Sequence, residues 1–230
     1  MKTALETIGQ IERVTLGDRV HAELCDLLMA GKLFPGEKLS LRKVAASIGV
    51  SMMPVREAVT RLVADEALTV LPNRAVSVPV MTQAKFQELT LVRCEIEGFA
   101  TEQAALRRTS ADLKRIKSLD EQFRKAVNSE ASNSDKALRL NKDLHFAIYE
   151  AAQLPVLVGI IEGLWLKVGP VINLDLRSSS QRLRSGDAEQ FHARIVSAIE
   201  AQDPAAARAA LTADISGSSQ FIQSTGTLPI

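Results

Sequence analysis

The stretch 34–57 constrains this chain more than any other, because its apolar, glycine and basic residues fit one arrangement of two short helices. Apolar residues recur at helical spacing up to Ile48, and Gly49 then stands where a helix commonly ends in the left-handed conformation. Ser51 is a good N-cap for a second helix, and Pro54 is tolerated in its first turn, where no intrahelical N–H bond is needed. The pattern predicts a helix-turn-helix, a motif that places its second helix in the major groove of DNA.

Three further features favour DNA binding over an ordinary helical hairpin with solvated charges. Basic residues outnumber acidic ones over this span in a chain whose net charge is only +1, so the surface is a local basic patch. Its basic members are Lys38, Arg42, Lys43, Arg56 and Arg61. A helical pattern over about 16–30 precedes the motif, and two β-type segments, 69–71 and 75–78, follow it around a Pro-Asn-Arg turn. That hairpin predicts the wing of a winged helix, with Arg74 at its tip able to enter the adjacent minor groove.

The run Gly-Lys-Leu-Phe-Pro-Gly-Glu-Lys-Leu from Gly31, with Ile-Gly-Val-Ser-Met-Met-Pro-Val-Arg-Glu-Ala from Ile48, resembles the GntR family of bacterial transcription regulators. Pro-Val-Arg-Glu-Ala is the most specific part of this resemblance. The chain departs from the family at Met52, where arginine is usual, and at Ala75, where the wing usually has glycine. Because arginine to guanine is the commonest specific base contact, the first departure bears on the operator sequence rather than on DNA binding itself. The resemblance implies DNA contacts from Arg42, Ser51, Met53, Arg56 and the wing residue Arg74.

Length and composition indicate two domains. A DNA-reading module of about 80 residues leaves about 150 of the 230 residues for a second domain. Helical patterns fill the second part, at about 82–108, 110–128, 133–152, 154–175, 186–201 and 204–222. We therefore expect a mainly α chain. An N-terminal winged helix-turn-helix of three helices and a β-hairpin wing occupies residues 1–80, and an all-α effector-binding and dimerisation bundle of about six helices occupies residues 81–230.

The composition also bears on where the protein works. Two cysteines, Cys25 and Cys94, are too few for a disulfide framework and fit a reducing cytosol. The N-terminus has charged residues instead of the apolar core of a secretory signal. The apolar stretch 154–172 is interrupted by charges and prolines, so it predicts a buried bundle helix and no membrane span. We expect a cytoplasmic protein without a membrane partner.

Four polar residues of the predicted bundle converge. Asn141 and His145 are four residues apart and share one face of a helix. Asp203 followed by proline predicts the turn of a helical hairpin. His192 precedes that turn by the interval at which Asp214 follows it, so the two residues lie opposite one another. A buried acid needs a partner or a metal, and together the four residues suit zinc, nickel or manganese. Taken singly, each one also fits a satisfied polar group of the core.

A winged helix followed by such a bundle resembles the FadR-type branch of the GntR family, with its C-terminal FCD effector domain. The best segments of the second half are 140–145 and 191–203. In FCD domains an Asp or Asn, a His four residues later, and two further His on later helices commonly hold a metal. The resemblance implies that Asn141, His145 and His192 fill the first three places and that Asp214 replaces the last His. Asn141 is a weak ligand, so it either binds the metal or only supports the site.

The charge of such a site suggests its ligand. A metal held by few carboxylates keeps positive charge and open positions, which favour a carboxylate. Arg93 could clamp that carboxylate, and the alternative is a routine ion pair with Glu97 four residues later. The resemblance implies a small organic acid, such as a sugar acid or dicarboxylate, as the effector.

The resulting function is a ligand-responsive, sequence-specific transcription regulator that is no enzyme. It acts as a homodimer on a double-stranded DNA operator, because one recognition helix reads only a few base pairs and two half-sites are needed. The alternative is a metal-dependent hydrolase of small molecules with an accessory winged helix. The chain lacks the His-Glu-x-x-His, Gly-x-Ser-x-Gly and Cys-x-x-Cys patterns that enzymes of this kind use.

Overall fold

A computed structural model of the protein describes residues 15–128, 134–178 and 187–229. The N-terminal part contains the helices α1 (Leu16–Met29), α2 (Leu41–Ile48) and α3 (Met52–Ala64). It also contains the strands β1 (Lys38–Leu39), β2 (Thr69–Val70) and β3 (Val76–Ser77). The helices that follow are α4 (Gln83–Arg107), α5 (Ser110–Val127), α6 (Ser134–Ala151), α7 (Pro155–Ser178), α8 (Asp187–Glu200) and α9 (Pro204–Ser224). The winged helix followed by an all-α bundle, which the sequence predicts, is confirmed.

The corner of the helix-turn-helix forms at the predicted glycine. Gly49 ends α2 with φ 74° and ψ 33°, a left-handed conformation that costs glycine little, and its N–H donates to the carbonyl of Ala45. Ser40 caps the start of α2 by accepting from the N–H of Lys43 at 3.4 Å. Ser51 occupies the N-cap position of α3, but its side chain makes no cap hydrogen bond. The turn therefore fixes the direction of α3 while the Ser51 hydroxyl stays exposed.

The wing is an antiparallel hairpin to which a third strand is added. Thr69 pairs with Ser77 and Val70 with Val76, and the sheet order β1-β3-β2 places β1 along the other side of β3. At the tip, Arg74 has φ 62° and the Asn73 side chain accepts from the N–H of Ala75 at 3.1 Å, a local turn that asparagine favours. The sequence did not predict β1, because a two-residue strand has no alternation to reveal it.

The two parts of the chain pack directly on one another through α1 and α7. A Cβ built on Gly169 of α7 would lie 2.6 Å from the carbonyl oxygen of Leu28 in α1, so the helices cross in backbone contact that only glycine allows. Next to this crossing, Leu166 of α7 is buried in the same apolar cluster as the core of the winged helix. An ion pair between Lys142 and Asp26, 2.8 Å apart, also joins the two parts.

Helix α7 runs through the bundle. Over Pro155–Ile172 it is long and apolar enough, by length and composition only, to cross a membrane. Of that 18-residue window 44% is buried inside the protein, and Ile161, Trp165 and Val168 belong to its core. The same test is passed by core helices of soluble proteins, so this helix is weak support for a membrane span, and its packing matches the predicted bundle helix.

Candidate metal centre and DNA-binding surface

The structure brings together three of the four residues that the sequence singles out for a metal. His145 on α6, His192 on α8 and Asp214 on α9 each offer one ligand atom, and these atoms all lie within 4.8 Å of one another. All three side chains are buried. The α8–α9 hairpin brings His192 and Asp214 together, and at its turn Asp203 caps α9 by accepting from the N–H of Ala206 at 3.0 Å.

The spacing of the three donor groups is close to that of ligands around a metal ion. The Nε2 atom of His145 lies 3.4 Å from Oδ2 of Asp214. The rings of His145 and His192 stand edge to face, with centroids 5.3 Å apart. Donor atoms bound tetrahedrally about 2.1 Å from a zinc ion lie about 3.4 Å apart, so small shifts would complete the geometry. The donor set of two imidazoles and one carboxylate therefore fits a divalent metal.

A cavity of about 30 Å³ lies beside His145 and Asp214. Its lining includes His145, Asp214, Arg93, Trp165 and the half-buried Asn141, one helical turn before His145. A cavity needs roughly 10–15 Å³ to hold one water molecule, so this one has room for an ion and a water. An organic acid of several carbons fits only if the wall moves.

Arg93 forms the ion pair that was the alternative to a ligand clamp. Its Nε donates to Oε1 of Glu97 at 2.6 Å, and both side chains are buried. Its guanidinium carbon also lies 5.3 Å from the centre of the Trp165 ring, a cation–π contact. Burial acts to lower the pKa of Arg93, but the charge and hydrogen bonds of Glu97 outweigh it, and the net shift is upward. Arg93 is thus both a paired charge and part of the cavity wall.

Sequence reasoning gave Glu97 no role beyond that pair and missed Tyr149. Glu97 has no exposed surface, and it also accepts from the Tyr149 hydroxyl and from Nε1 of Trp165 at 3.1 Å. The Tyr149 hydroxyl in turn lies 3.1 Å from Nδ1 of His145. Burial, reinforced by the charge of Glu97, raises the pKa of Tyr149 well above its usual value, so the hydroxyl keeps its proton. The four-residue step from His145 to Tyr149 was the signal in the sequence that could have pointed to this contact.

The residues predicted to contact DNA all lie on the surface of the winged helix. They are Arg42 on α2, Ser51, Met53 and Arg56 at the start of α3, and Arg74 at the wing tip. Met53 is 72% exposed, whereas Met52, at the position of the usual arginine, is half-buried and packs against the domain core. Arg61, the last member of the basic patch, pairs with Asp18 of α1 at 2.8 Å.

Comparison with known proteins matches both parts of the chain. The family described as bacterial regulatory proteins, gntR family, matches residues 16–78, and the FCD domain matches residues 88–217. The chain belongs to the GntR family. Its second part is an FCD domain, the helical effector domain found in one branch of that family, as the sequence resemblance implies.

Similar proteins cover nearly the whole chain. The HTH-type transcriptional regulator McbR of Escherichia coli (strain K12) is 30% identical over 85% of this chain and 87% of its own length. A probable D-xylose utilization operon transcriptional repressor of Paenarthrobacter nicotinovorans is 26% identical over 90% of this chain and 88% of its own. The solved structure of E. coli McbR/YncC superposes with a TM-score of 0.85 at 28% identity, covering 94% of this chain and 100% of that one. The GntR protein is thus similar to transcription regulators in sequence and in fold.

Proposed function

We propose that this GntR protein is a dimeric, sequence-specific transcription regulator whose FCD domain binds a divalent metal and a small organic acid that changes its affinity for an operator. The observation that carries the proposal is the pairing, in one chain, of an exposed basic winged helix with a buried His-His-Asp cluster. Its relatives are described as transcription regulators, and the protein would act in the cytoplasm, where operator DNA lies.

The winged helix supports DNA contact through particular side chains. The N-terminal residues of a recognition helix contact base edges, and here these positions hold Ser51, Met53 and Arg56, all exposed. Arg42 at the start of α2 adds a cation for the phosphate backbone, and Arg74 extends from the wing. Since Met52 faces the domain core, the base contact that an arginine there would make is replaced by the thioether of Met53, which suits the thymine methyl group.

Gel shift assays with an operator fragment test these contacts. Arg42→Ala and Arg56→Ala should each weaken binding by about 1–3 kcal/mol, since each removes a charge that contacts DNA. Arg139, an exposed arginine of α6, offers a matched control, and Arg139→Ala should bind like the wild type. Wild-type affinity in both Arg42→Ala and Arg56→Ala would remove the assignment of this surface to DNA.

An exposed apolar stripe on α4 supports a dimer. Val92, Phe99 and Leu106 recur every seven residues and are 40%, 41% and 52% exposed. Seven residues make two helical turns, so these side chains lie along one face and form a seam of the kind that packs against a second helix. A two-fold dimer through this face would present two recognition helices to two half-sites.

The His-His-Asp cluster supports a metal ligated by His145, His192 and Asp214. Zinc, nickel and manganese all accept imidazole and carboxylate ligands. With a single carboxylate among the three ligands, a divalent ion keeps net positive charge and an open coordination position that attracts an anionic oxygen. Asn141 lines the same cavity and is placed either to bind the ion or to support it.

A small carboxylate is the effector class that this charge favours. Arg93 lines the cavity, and Glu97 accepts from its Nε and Nη2 groups, so other N–H groups of its five remain for a second anion. Because the cavity holds only about 30 Å³, entry of the acid must displace part of its wall. Such a displacement is what an effector needs in order to favour one conformation over another.

A further inference from the structure

His145 can serve a metal through Nε2 in only one of its two neutral tautomers. With the proton on Nε2, the ring can donate to Oδ2 of Asp214, 3.4 Å away, and the two groups then satisfy each other. With the proton on Nδ1, the Nε2 atom carries a lone pair that faces the carboxylate and is ready for a cation. The choice between these states therefore decides whether the cluster is closed on itself or open to an ion.

The hydrogen bonds around Glu97 determine which groups donate. Arg93 and Trp165 have only donors, and both point at the Glu97 carboxylate, so its two oxygens act as acceptors. The Tyr149 hydroxyl also contacts Oε2 of Glu97. The Tyr149 hydroxyl has only one proton, and it donates that proton in a hydrogen bond to the buried Glu97 carboxylate.

The oxygen of Tyr149 is then left as an acceptor towards His145. Its distance to Nδ1 of His145 is 3.1 Å, so the ring must carry its proton on Nδ1. We propose that Glu97 and Tyr149 are positioning residues that hold His145 in the Nδ1–H tautomer, with the Nε2 lone pair turned towards Asp214. The use of this lone pair rests on the proposed metal function, whereas the tautomer itself belongs to the metal-free protein.

The hydrogen bonds that run from Glu97 through Tyr149 to His145, called the relay below, also connect three helices to one imidazole. Glu97 lies on α4, Tyr149 and His145 on α6, and Trp165 on α7, and the bonds among them are buried. Partners that orient a ligating histidine in this way typically contribute 10- to 100-fold to metal affinity. Tyr149→Phe keeps the ring and removes the acceptor, so we expect His145 to move to the Nε2–H form and metal affinity to fall roughly 10- to 100-fold.

Heteronuclear NMR of the imidazole nitrogens in the full-length, metal-free protein tests the tautomer directly. The chain has three histidines, and His21→Asn and His192→Asn variants assign the signals. We expect a protonated Nδ1 and an unprotonated Nε2 in wild-type His145 and the reverse in Tyr149→Phe. Thr101→Val is the matched control, because it removes another buried hydroxyl, one turn after Glu97, that donates to the backbone carbonyl of Glu97 and leaves His145 untouched. Titration of each variant with Zn²⁺ in competition with a chelator measures metal affinity.

The outcomes of these experiments test the His145 tautomer separately from the proposed metal binding. A wild-type His145 without a proton on Nδ1 overturns the relay, and so does a measurable zinc affinity that is equal in wild type and Tyr149→Phe. The expected tautomer and its reversal in Tyr149→Phe support the relay even if zinc binds to none of the proteins, a result that would remove only the metal proposal. If Tyr149→Phe does not fold, the wild-type tautomer alone decides.

Discussion

A buried carboxylate is stable only when donors surround it, and Glu97 has four such contacts from three residues. Two come from the Arg93 guanidinium, one from the Tyr149 hydroxyl and one from the Trp165 indole. Loss of a single partner of a buried charge is costly, commonly about 3–5 kcal/mol, because the remaining group is left without compensation. At the scale of single residues, the candidate site is therefore supported by the buried charge of Glu97 and the donors around it.

The proposed ligands make a residue-scale prediction about metal content. Protein purified without an affinity tag should contain up to one equivalent of a divalent metal by elemental analysis, and the double variant His145→Ala with His192→Ala should contain none. His21→Ala is the control, because His21 is half-buried on α1, where it contacts Cys25, outside the cluster. Equal metal content in the wild type and the double variant would show that this polar cluster does not bind the metal.

Local signals in the sequence account for what could be predicted. Gly49 and the Asp203 turn were readable because a left-handed residue and an N-cap with proline depend on neighbouring residues only. The contacts of Glu97 with Tyr149 and Trp165 span 52 and 68 residues, and no spacing rule connects positions so far apart. The family matches end at residue 78 and begin again at 88, so the domain boundary at 80 stays a prediction.

Helix α4 combines three roles on different faces. One face holds Arg93 and Glu97 against the cavity, and another packs along α9, where Arg208 pairs with Glu102 at 3.2 Å. The face with Val92, Phe99 and Leu106 remains exposed in the single chain. A helix of 25 residues is long enough to carry all three faces, so the proposed dimer contacts and the cavity contacts share one rigid element.

The exposed face gives the prediction at the scale of this element. Phe99→Glu should dissociate the dimer, because the two-fold axis would bring like charges together in an apolar seam at a cost of several kcal/mol. Light scattering after size-exclusion chromatography measures the mass. Val70→Glu is the matched control, since Val70 is a 53% exposed apolar residue of the wing. A dimeric Phe99→Glu protein would move the interface to another surface.

At the scale of the whole molecule, α1 and α7 cross at Gly169 in backbone contact and join the two parts of the chain. We expect Gly169→Ala to lower the free energy of unfolding by about 1–3 kcal/mol, because the added methyl group meets the Leu28 carbonyl and pushes the helices apart. Gly163→Ala on the same helix is the control, as nothing lies within 4 Å of its Cβ position. Gly163→Ala should raise the free energy of unfolding by about 0.5–1 kcal/mol, and chemical denaturation distinguishes the two variants.

The proposed effector leads to a second prediction for the whole molecule. In a thermal-shift screen of small organic acids, the acids that stabilise the metal-loaded protein should also change its operator affinity by roughly 5- to 150-fold, a coupling of about 1–3 kcal/mol. The short segment 79–83 between the domains is one route for this coupling, and the packing of α7 on α1 is another. If saturating acids stabilise the protein but leave operator affinity unchanged, then ligand binding in the pocket does not control DNA binding.

Two successive residues of α7 belong to different halves of the protein. Trp165 packs in the core of the FCD domain, and Leu166 packs in the core of the winged helix. The halves are therefore not interchangeable modules that a designer could separate at the linker. A chimera that joins this winged helix to a foreign FCD domain would also need the α7 surface around Leu166 and Gly169, or its DNA-binding half would lose part of its own interior.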